Sequence, residues 1–197
     1  MKIAGIVLAA GRSSRMAPRN KLLEPVEGEP IVRRVAEATR ASGASPILAV
    51  TGHEAAAVTD ALRGLNVISV VNPNHADGLS TSLRAGLRAL PPGIDGALIL
   101  LGDMPGVEVS VLRSLMLAFT SESVICVPVR DRRRGNPVLW GRRYFAEMMK
   151  ISGDAGAKPL MARHEAHVIE VEVETNSIFA DVDTPVDLVQ IRQPGSG

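Results

Sequence analysis

The sequence predicts an α/β fold, a mainly parallel sheet covered by helices on both faces. Three observations point there. Short aliphatic runs alternate with stretches of helical period over the first two thirds of the chain. The runs are nearly continuous in Val, Ile, Leu and Ala, the pattern of strands buried on both sides. Glycine and proline stand where one pattern gives way to the other. The chain has 197 residues, 46% hydrophobic and 22% charged. That suits one domain, assigned to residues 1–192, with residues 193–197 as a disordered tail.

The first strand is residues 3–8. Pro30 begins a helix and Gly43 ends it, with Ile31, Val35 and Ala38 on one face. Residues 46–51 and 67–71 read as buried strands around a helix at 54–63 that Gly64 stops. A helix at 80–90 runs into Pro91-Pro92-Gly93. A buried strand at 97–101, a helix at 108–119 and a buried strand at 124–129 follow. The rhythm then changes to a charged loop at 130–135, a short strand at 137–140 and helices near 142–150 and 157–163. Residues 167–173 alternate apolar and charged, as a half-exposed edge strand does. Pro185 opens a last helix with Thr184 before it as cap. Ligands of open α/β sheets sit beyond the carboxyl ends of the strands, so the loops after Leu8, Val71, Leu101 and Val129 share one predicted rim.

Composition narrows the function. Aromatic residues make up 3% and the formal net charge is +1, so neither stacking platforms nor a global field favours nucleic acid. Cys126 is the only cysteine, which rules out an internal disulfide and a cysteine zinc site. His164 and His167 are three apart but have no third ligand nearby in sequence. Residues 3–10 follow Lys2, yet Gly-Arg-Ser-Ser-Arg comes next in place of a cleavage segment. No run approaches the roughly 20 apolar residues of a membrane span. The expectation is a cytoplasmic enzyme with no nucleic-acid or membrane partner.

The chemistry concentrates at the strand ends. Leu8-Ala9-Ala10-Gly11-Arg12-Ser13-Ser14-Arg15-Met16 follows the first strand, with Lys21 beyond it. Small residues let backbone N–H groups approach phosphate oxygens, and fixed cations meet their charge. Solvated loop charges are the competing reading. The spacing matches neither a Walker loop nor a dinucleotide fingerprint. Leu101-Gly102-Asp103-Met104-Pro105 puts a carboxylate at a strand tip, where it suits either Mg²⁺ or the N–H groups of a turn. Ser80 and Ser82 follow Gly78 at a helix start whose N–H groups can meet a base edge or a phosphate. Arg130 to Arg134 form the densest basic cluster, a solvated loop or an anion site.

Taken in order, these segments resemble the nucleotidyltransferases of the molybdenum cofactor type, the cytidylyltransferase branch of the MobA-like NTP transferases. The family signature, close to Leu-Ala-Ala/Gly-Gly-x-Ser-x-Arg-Met-Gly-x-x-Lys, is met by residues 8–16. Ala17 replaces the usual glycine and Pro18-Arg19-Asn20 lengthens the approach to Lys21. The resemblance implies a Rossmann-like three-layer sandwich, nucleotide-diphospho-sugar transferase-like, with a mixed sheet. It implies Arg15, Lys21 and Asp103 as catalytic residues, and Leu8, Ala9, Ala10, Gly11, Arg12, Ser13, Asp77, Gly78 and Ser82 around the nucleotide. Asp103 is the implied Mg²⁺ ligand. In Ala180-Asp181-Val182-Asp183-Thr184-Pro185-Val186-Asp187, Asp181 is taken as the second ligand, with Asp183 and Asp187 as helix caps.

Gly135-Asn136-Pro137 stands where the cytidylyltransferases often carry Gly-His-Pro. Ser152-Gly153-Asp154-Ala155-Gly156-Ala157-Lys158 is similar to Gly-Asp-x-Gly-Ala-Arg. Arg134, Asn136, Asp154 and Lys158 are therefore the expected acceptor contacts. Ala10 goes with CTP in this family, where Gly goes with GTP. The implied activity moves CMP from CTP to a phosphorylated acceptor, molybdopterin first among them, with a molybdoenzyme as a maturation partner. The alternatives are a cytidylyl- or guanylyltransferase for another phosphorylated metabolite, and a non-catalytic nucleotide-binding cofactor chaperone.

Overall fold

Every residue of strand β1 (Ile3–Ala9) is buried, because its side chains alternate between two cores. Ile3, Val7 and Ala9 join one cluster, and Ile6 and Leu8 the other. The computed structural model describes residues 1–16, 18–154 and 156–192. After β1 come β2 (Pro25–Val26), β3 (Glu29–Pro30), α1 (Ile31–Ser42), β4 (Ile47–Thr51), α2 (Ala55–Ala61), β5 (Ile68–Val71) and α3 (Leu79–Arg88). The second half holds β6 (Gly96–Leu101), α4 (Val109–Ala118), β7 (Ile125–Arg130), β8 (Arg133–Arg134), β9 (Val138–Gly141), α5 (Phe145–Met148), α6 (Lys158–Arg163), β10 (Val168–Glu172) and α7 (Pro185–Arg192).

The main sheet runs β10-β7-β9-β6-β1-β4-β5, with β8 paired to β7. Neighbours are parallel except β9, which runs antiparallel between β6 and β7, and β8. The mixed, mainly parallel sheet expected from the sequence is therefore what forms. Ile31, Leu112 and Leu188 of α1, α4 and α7 pack in the first core, and Leu83, Met148 and Leu160 of α3, α5 and α6 in the second. Helix α1 starts directly after Pro30 and stops where Gly43 takes φ +97°, a backbone region open to glycine at little cost.

Two expectations need correcting. Residues 67–71 were expected to form a buried strand, but β5 is an edge of the sheet, with Ile68 51% and Val71 61% exposed. An aliphatic run specifies a strand and leaves open whether a neighbour lies on each side of it. The helix expected over 142–150 is a 3₁₀ turn at Arg142–Tyr144 followed by the four residues of α5. The tail assigned to residues 193–197 lies outside the described residues. No helix among the described residues is long and apolar enough to cross a membrane.

Register builds the functional rim. Leu8 of β1 pairs with Leu101 of β6 on one side and with Val50 of β4 on the other. The loops that follow Ala9 and Leu101 therefore leave the sheet side by side.

Candidate functional site

The loop after β1 folds back through its own polar side chains. Ser13, at φ +52°, donates its hydroxyl to Asn20 Oδ1 at 3.2 Å and accepts the Lys21 N–H at 3.2 Å. Asn20 is buried, and its Oδ1 also accepts the Leu22 N–H at 3.1 Å, capping the Lys21–Leu23 turn. The longer approach through Pro18, Arg19 and Asn20 is thus absorbed by a cap that fixes the Lys21 backbone. Ala17 lies outside the described residues. A Cβ built on Gly11 meets nothing within 4 Å. No protein atom requires glycine there, and the gap leaves the backbone open to a ligand.

Asp103 follows β6 through Gly102, whose N–H donates to the Leu8 carbonyl at 2.9 Å. Its Oδ2 lies 2.6 Å from Lys21 Nζ. Its Oδ1 is buried without a hydrogen-bond partner. The Val182 N–H donates to the Asp103 carbonyl at 2.9 Å, and this long-range bond sets the next residue, Asp183, beside the cluster. Asp183 Oδ1 is 2.7 Å from Lys21 Nζ, and Oδ2 pairs with Arg15. Burial acts to lower the Lys21 pKa, but the charge and hydrogen bonds of Asp103 and Asp183 outweigh it and hold the ammonium above its usual range. The Lys21 hydrogen bond, with Arg15 adding to it, holds the Asp183 carboxyl below its usual range.

The expected partner of Asp103 was Asp181, and the structure corrects this. Asp181 is exposed and does not line the cavity, whereas Asp183 does. Asp183 is not a cap. Asp187 does that work: its Oδ2 accepts the Thr184 hydroxyl at 2.8 Å and the N–H groups of Thr184 and Asp183 at 2.7 and 3.0 Å. The Asp187 N–H donates back to Thr184 Oγ1 at 3.3 Å, closing a reciprocal cap at the start of α7. These bonds, the Thr184 hydroxyl first, hold the Asp187 carboxyl below its usual range. A carboxyl depressed in the folded state stabilises above its unfolded pKa and stops doing so as pH falls through the folded value. Asp187→Ala should therefore lower the melting temperature at about pH 7, and the deficit should shrink by about pH 3. A pH-independent deficit in thermal melts would contradict the cap.

A cavity of 440 Å³ opens over this cluster. Of the residues expected around a nucleotide, Leu8, Ala10, Gly11, Arg12 and Ser13 line it, as do Arg15, Lys21 and Asp103. Ala9 instead packs into the core, since alternation along β1 turns it away. Gly78 and Ser82 line the opposite wall; Asp77 is exposed and stands outside it. Ser82 is anchored by Asn72, whose amide donates to its hydroxyl at 3.0 Å. His75 also lines the cavity, with Nδ1 buried and unpartnered. It sits close because Gly52 leaves room: a Cβ there would lie 2.5 Å from that of His75. Sequence reasoning passed over His75, and its one signal was its place three residues before Gly78.

A second cavity of 350 Å³ lies alongside, walled by Leu83, Ile99, Val138, Trp140 and Met161. Leu8, Leu79, Leu101 and Asp154 line both. Three expected acceptor residues, Asn136, Asp154 and Lys158, belong to it. Asp154 also accepts the Leu79 N–H at 3.1 Å, at the start of α3. Arg134 does not belong. Its guanidinium is taken by Glu165 and by Glu170, the latter at 2.7 Å, and these bonds raise its pKa. Arg134 is therefore committed to carboxylates at the sheet edge.

The model of the MobA-like NTP transferase domain matches residues 5–168. The bifunctional protein GlmU of Pelobacter propionicus is 34% identical over 141 residues, covering 71% of this chain, and the match spans only 30% of that protein's length. The molybdenum cofactor cytidylyltransferase of Escherichia coli is 25% identical over 191 residues, covering 95% of this chain and 94% of that protein. Nicotine blue oxidoreductase of Paenarthrobacter nicotinovorans is 28% identical over 189 residues, with 92% of each covered. Among solved structures, a nucleotidyl transferase from Methanothermobacter superposes with a TM-score of 0.86 at 28% identity, covering 97% of this chain and 96% of that one. Rv0371c of Mycobacterium tuberculosis in complex with manganese superposes with a TM-score of 0.80 at 28% identity, covering 97% of this chain and 98% of that one.

Proposed function

Because the chain belongs to the MobA-like NTP transferase domain family, we propose that it is a cytidylyltransferase that moves CMP from CTP to a phosphorylated acceptor, molybdopterin, and releases pyrophosphate. The observation that carries this reading is the shared wall of the two cavities. A charged cavity holding Arg15, Lys21, Asp103 and Asp183 meets a largely apolar one at Leu8, Leu79, Leu101 and Asp154. Donor and acceptor then lie edge to edge, and direct transfer needs no covalent intermediate on the protein.

An acceptor phosphate oxygen attacks the α-phosphorus, and the bond from that phosphorus to the bridging oxygen breaks as pyrophosphate leaves. A phosphate monoester is ionised near neutral pH, so the attack needs no general base. Arg15 and Lys21 neutralise charge on the bridging and leaving oxygens. Gly11 lets the loop backbone approach the phosphates. Ala10, with its methyl, narrows the pocket in favour of a pyrimidine.

The residues present fit a divalent cation. Two carboxylates, Asp103 and Asp183, meet at one ammonium, and Asp103 Oδ1 is buried and unpartnered. A pair of carboxylates suits Mg²⁺, an ion that takes one or two of them and fills its shell with phosphate and water. Asp103 and Asp183 would hold it, and it supplies Lewis-acid neutralisation of phosphate charge when bound. The manganese complex of Rv0371c supports a divalent ion in this fold.

The apolar walls of the second cavity favour an acceptor with a flat ring body over a polyhydroxyl sugar, which would leave hydroxyls unpaired against Leu83, Val138 and Trp140. The test is pyrophosphate release by the full chain with Mg²⁺ and each of the four common NTPs, given molybdopterin, a sugar phosphate or methylerythritol phosphate. CTP with molybdopterin should be the productive pair. Release with a sugar phosphate and none with molybdopterin moves the assignment to another metabolite. No release with any pair moves the assignment to a non-catalytic nucleotide-binding cofactor chaperone.

A further inference from the structure

Three of the four carboxylate oxygens of Asp103 and Asp183 are already taken by side-chain cations. Lys21 Nζ holds Asp103 Oδ2 at 2.6 Å and Asp183 Oδ1 at 2.7 Å, and Arg15 holds Asp183 Oδ2. Only Asp103 Oδ1 is without a partner. A metal ion held by these two acids would compete for the oxygens that Lys21 occupies. The Lys21 side chain is only 11% exposed, whereas that of Arg15 is 68% exposed, so Lys21 is the cation that closes the site.

We propose that Lys21 is a resident counter-ion that keeps the divalent-cation site shut until a nucleoside triphosphate arrives, then exchanges the two carboxylates for phosphate oxygens as the metal enters. This rests on the reading of Asp103 and Asp183 as the metal-holding pair.

Charge balance gives the reason for the exchange. Two cations and two carboxylates make a neutral cluster. A dication alone would add two uncompensated charges to a half-closed cavity, which is costly away from bulk water. A triphosphate brings negative charge that offsets the metal and offers the ammonium new partners. The local structure confines the motion to the side chain. The Lys21 N–H is fixed to Ser13 Oγ, and the following Leu22 N–H to the buried Asn20. Beyond that anchor Lys21 has a flexible four-carbon stem ending in a compact charge. An ammonium that must first hold carboxylates and then phosphates needs both the fixed root and the free stem.

The test is Mn²⁺ binding by the full chain, read from the electron paramagnetic resonance signal of free Mn²⁺, with and without a non-hydrolysable α,β-methylene CTP, after subtracting the Mn²⁺ that the analogue takes up in protein-free samples. The wild type should bind Mn²⁺ about tenfold or more tightly with the analogue than without it. Lys21→Met should bind Mn²⁺ without nucleotide about tenfold more tightly than the wild type, because two carboxylates lose their neutralising partner. Lys21→Gln, which keeps polarity, guards against a folding defect in the first variant, and both are checked by thermal melts. Equal wild-type binding with and without the analogue overturns the proposal, as does unchanged or weaker Mn²⁺ binding by both Lys21 variants. Adding Asp103→Asn separates the two levels. If it abolishes Mn²⁺ binding in the presence of the analogue while the Lys21 variants show no gain, only the counter-ion role falls. If it leaves Mn²⁺ binding intact in every background, the metal reading beneath it falls.

Discussion

Asp103→Asn should lower the pyrophosphate release of the proposed reaction by about 10³-fold, while the melting temperature should stay within a few degrees of the parent. The size of the loss follows from what the carboxylate does in place. It stands at the end of β6, its main chain held by the Gly102 N–H on Leu8 and by the Val182 N–H on its own carbonyl. The backbone therefore stays where it is when the side chain becomes an amide. An amide oxygen still accepts from Lys21, so the fold loses little. What disappears is one negative charge facing the phosphates of the proposed substrate, together with the buried oxygen that has no protein partner. The measurement is pyrophosphate release at saturating NTP beside a thermal melt. Turnover within about tenfold of the parent would remove Asp103 from the reaction.

Asp103 was legible because its signal is local: a continuous aliphatic strand ends in Gly-Asp-Met-Pro, and proline bars the strand from continuing. The phosphate-loop cations were legible for the same reason. Asp183 was not. In a run of Asp181, Asp183 and Asp187 before a proline-initiated helix, cap spacing fits more than one acid. The choice is made by a hydrogen bond from Val182 to Asp103, 79 residues away in sequence, and no local pattern carries it. Arg134 failed in the opposite direction. Its cluster looks like an anion site in one dimension, and only the return of β10 beside β7 brings Glu165 and Glu170 to it. The exposure of β5 has a similar origin, since hydrophobic periodicity reports strand formation and says nothing of the strand's rank in the sheet. For Asp183 and Arg134 what stayed hidden was a long-range pairing, and for β5 it was the lack of a further strand beside it.

Gly102→Ala tests whether the two halves of the site are aligned by the sheet itself. A Cβ on Gly102 would lie 2.9 Å from the Leu8 carbonyl oxygen and 3.3 Å from Ala9 Cα and Cβ. These are mostly backbone atoms of β1, so no flexible side chain can yield to it. Ala10 to Ser13 leave the sheet immediately beyond, and Asp103 follows Gly102. The added methyl therefore drives a wedge between the loop that lines one wall of the cavity and the carboxylate on the other. Overpacking of this kind costs about 1–3 kcal/mol. The catalytic loss should be larger, since a displacement of roughly 1 Å between reacting groups lowers turnover by about 10²-fold. Steady-state kinetics should show the fall in kcat, with KM for the NTP changed less. Gly11→Ala gives the contrast. Its methyl meets no protein atom within 4 Å, so the melt should be unchanged and the defect should appear in KM, through loss of close approach to the phosphates. If Gly102→Ala lost stability and kept its kcat, the sheet would not be what sets the distance between Asp103 and the loop.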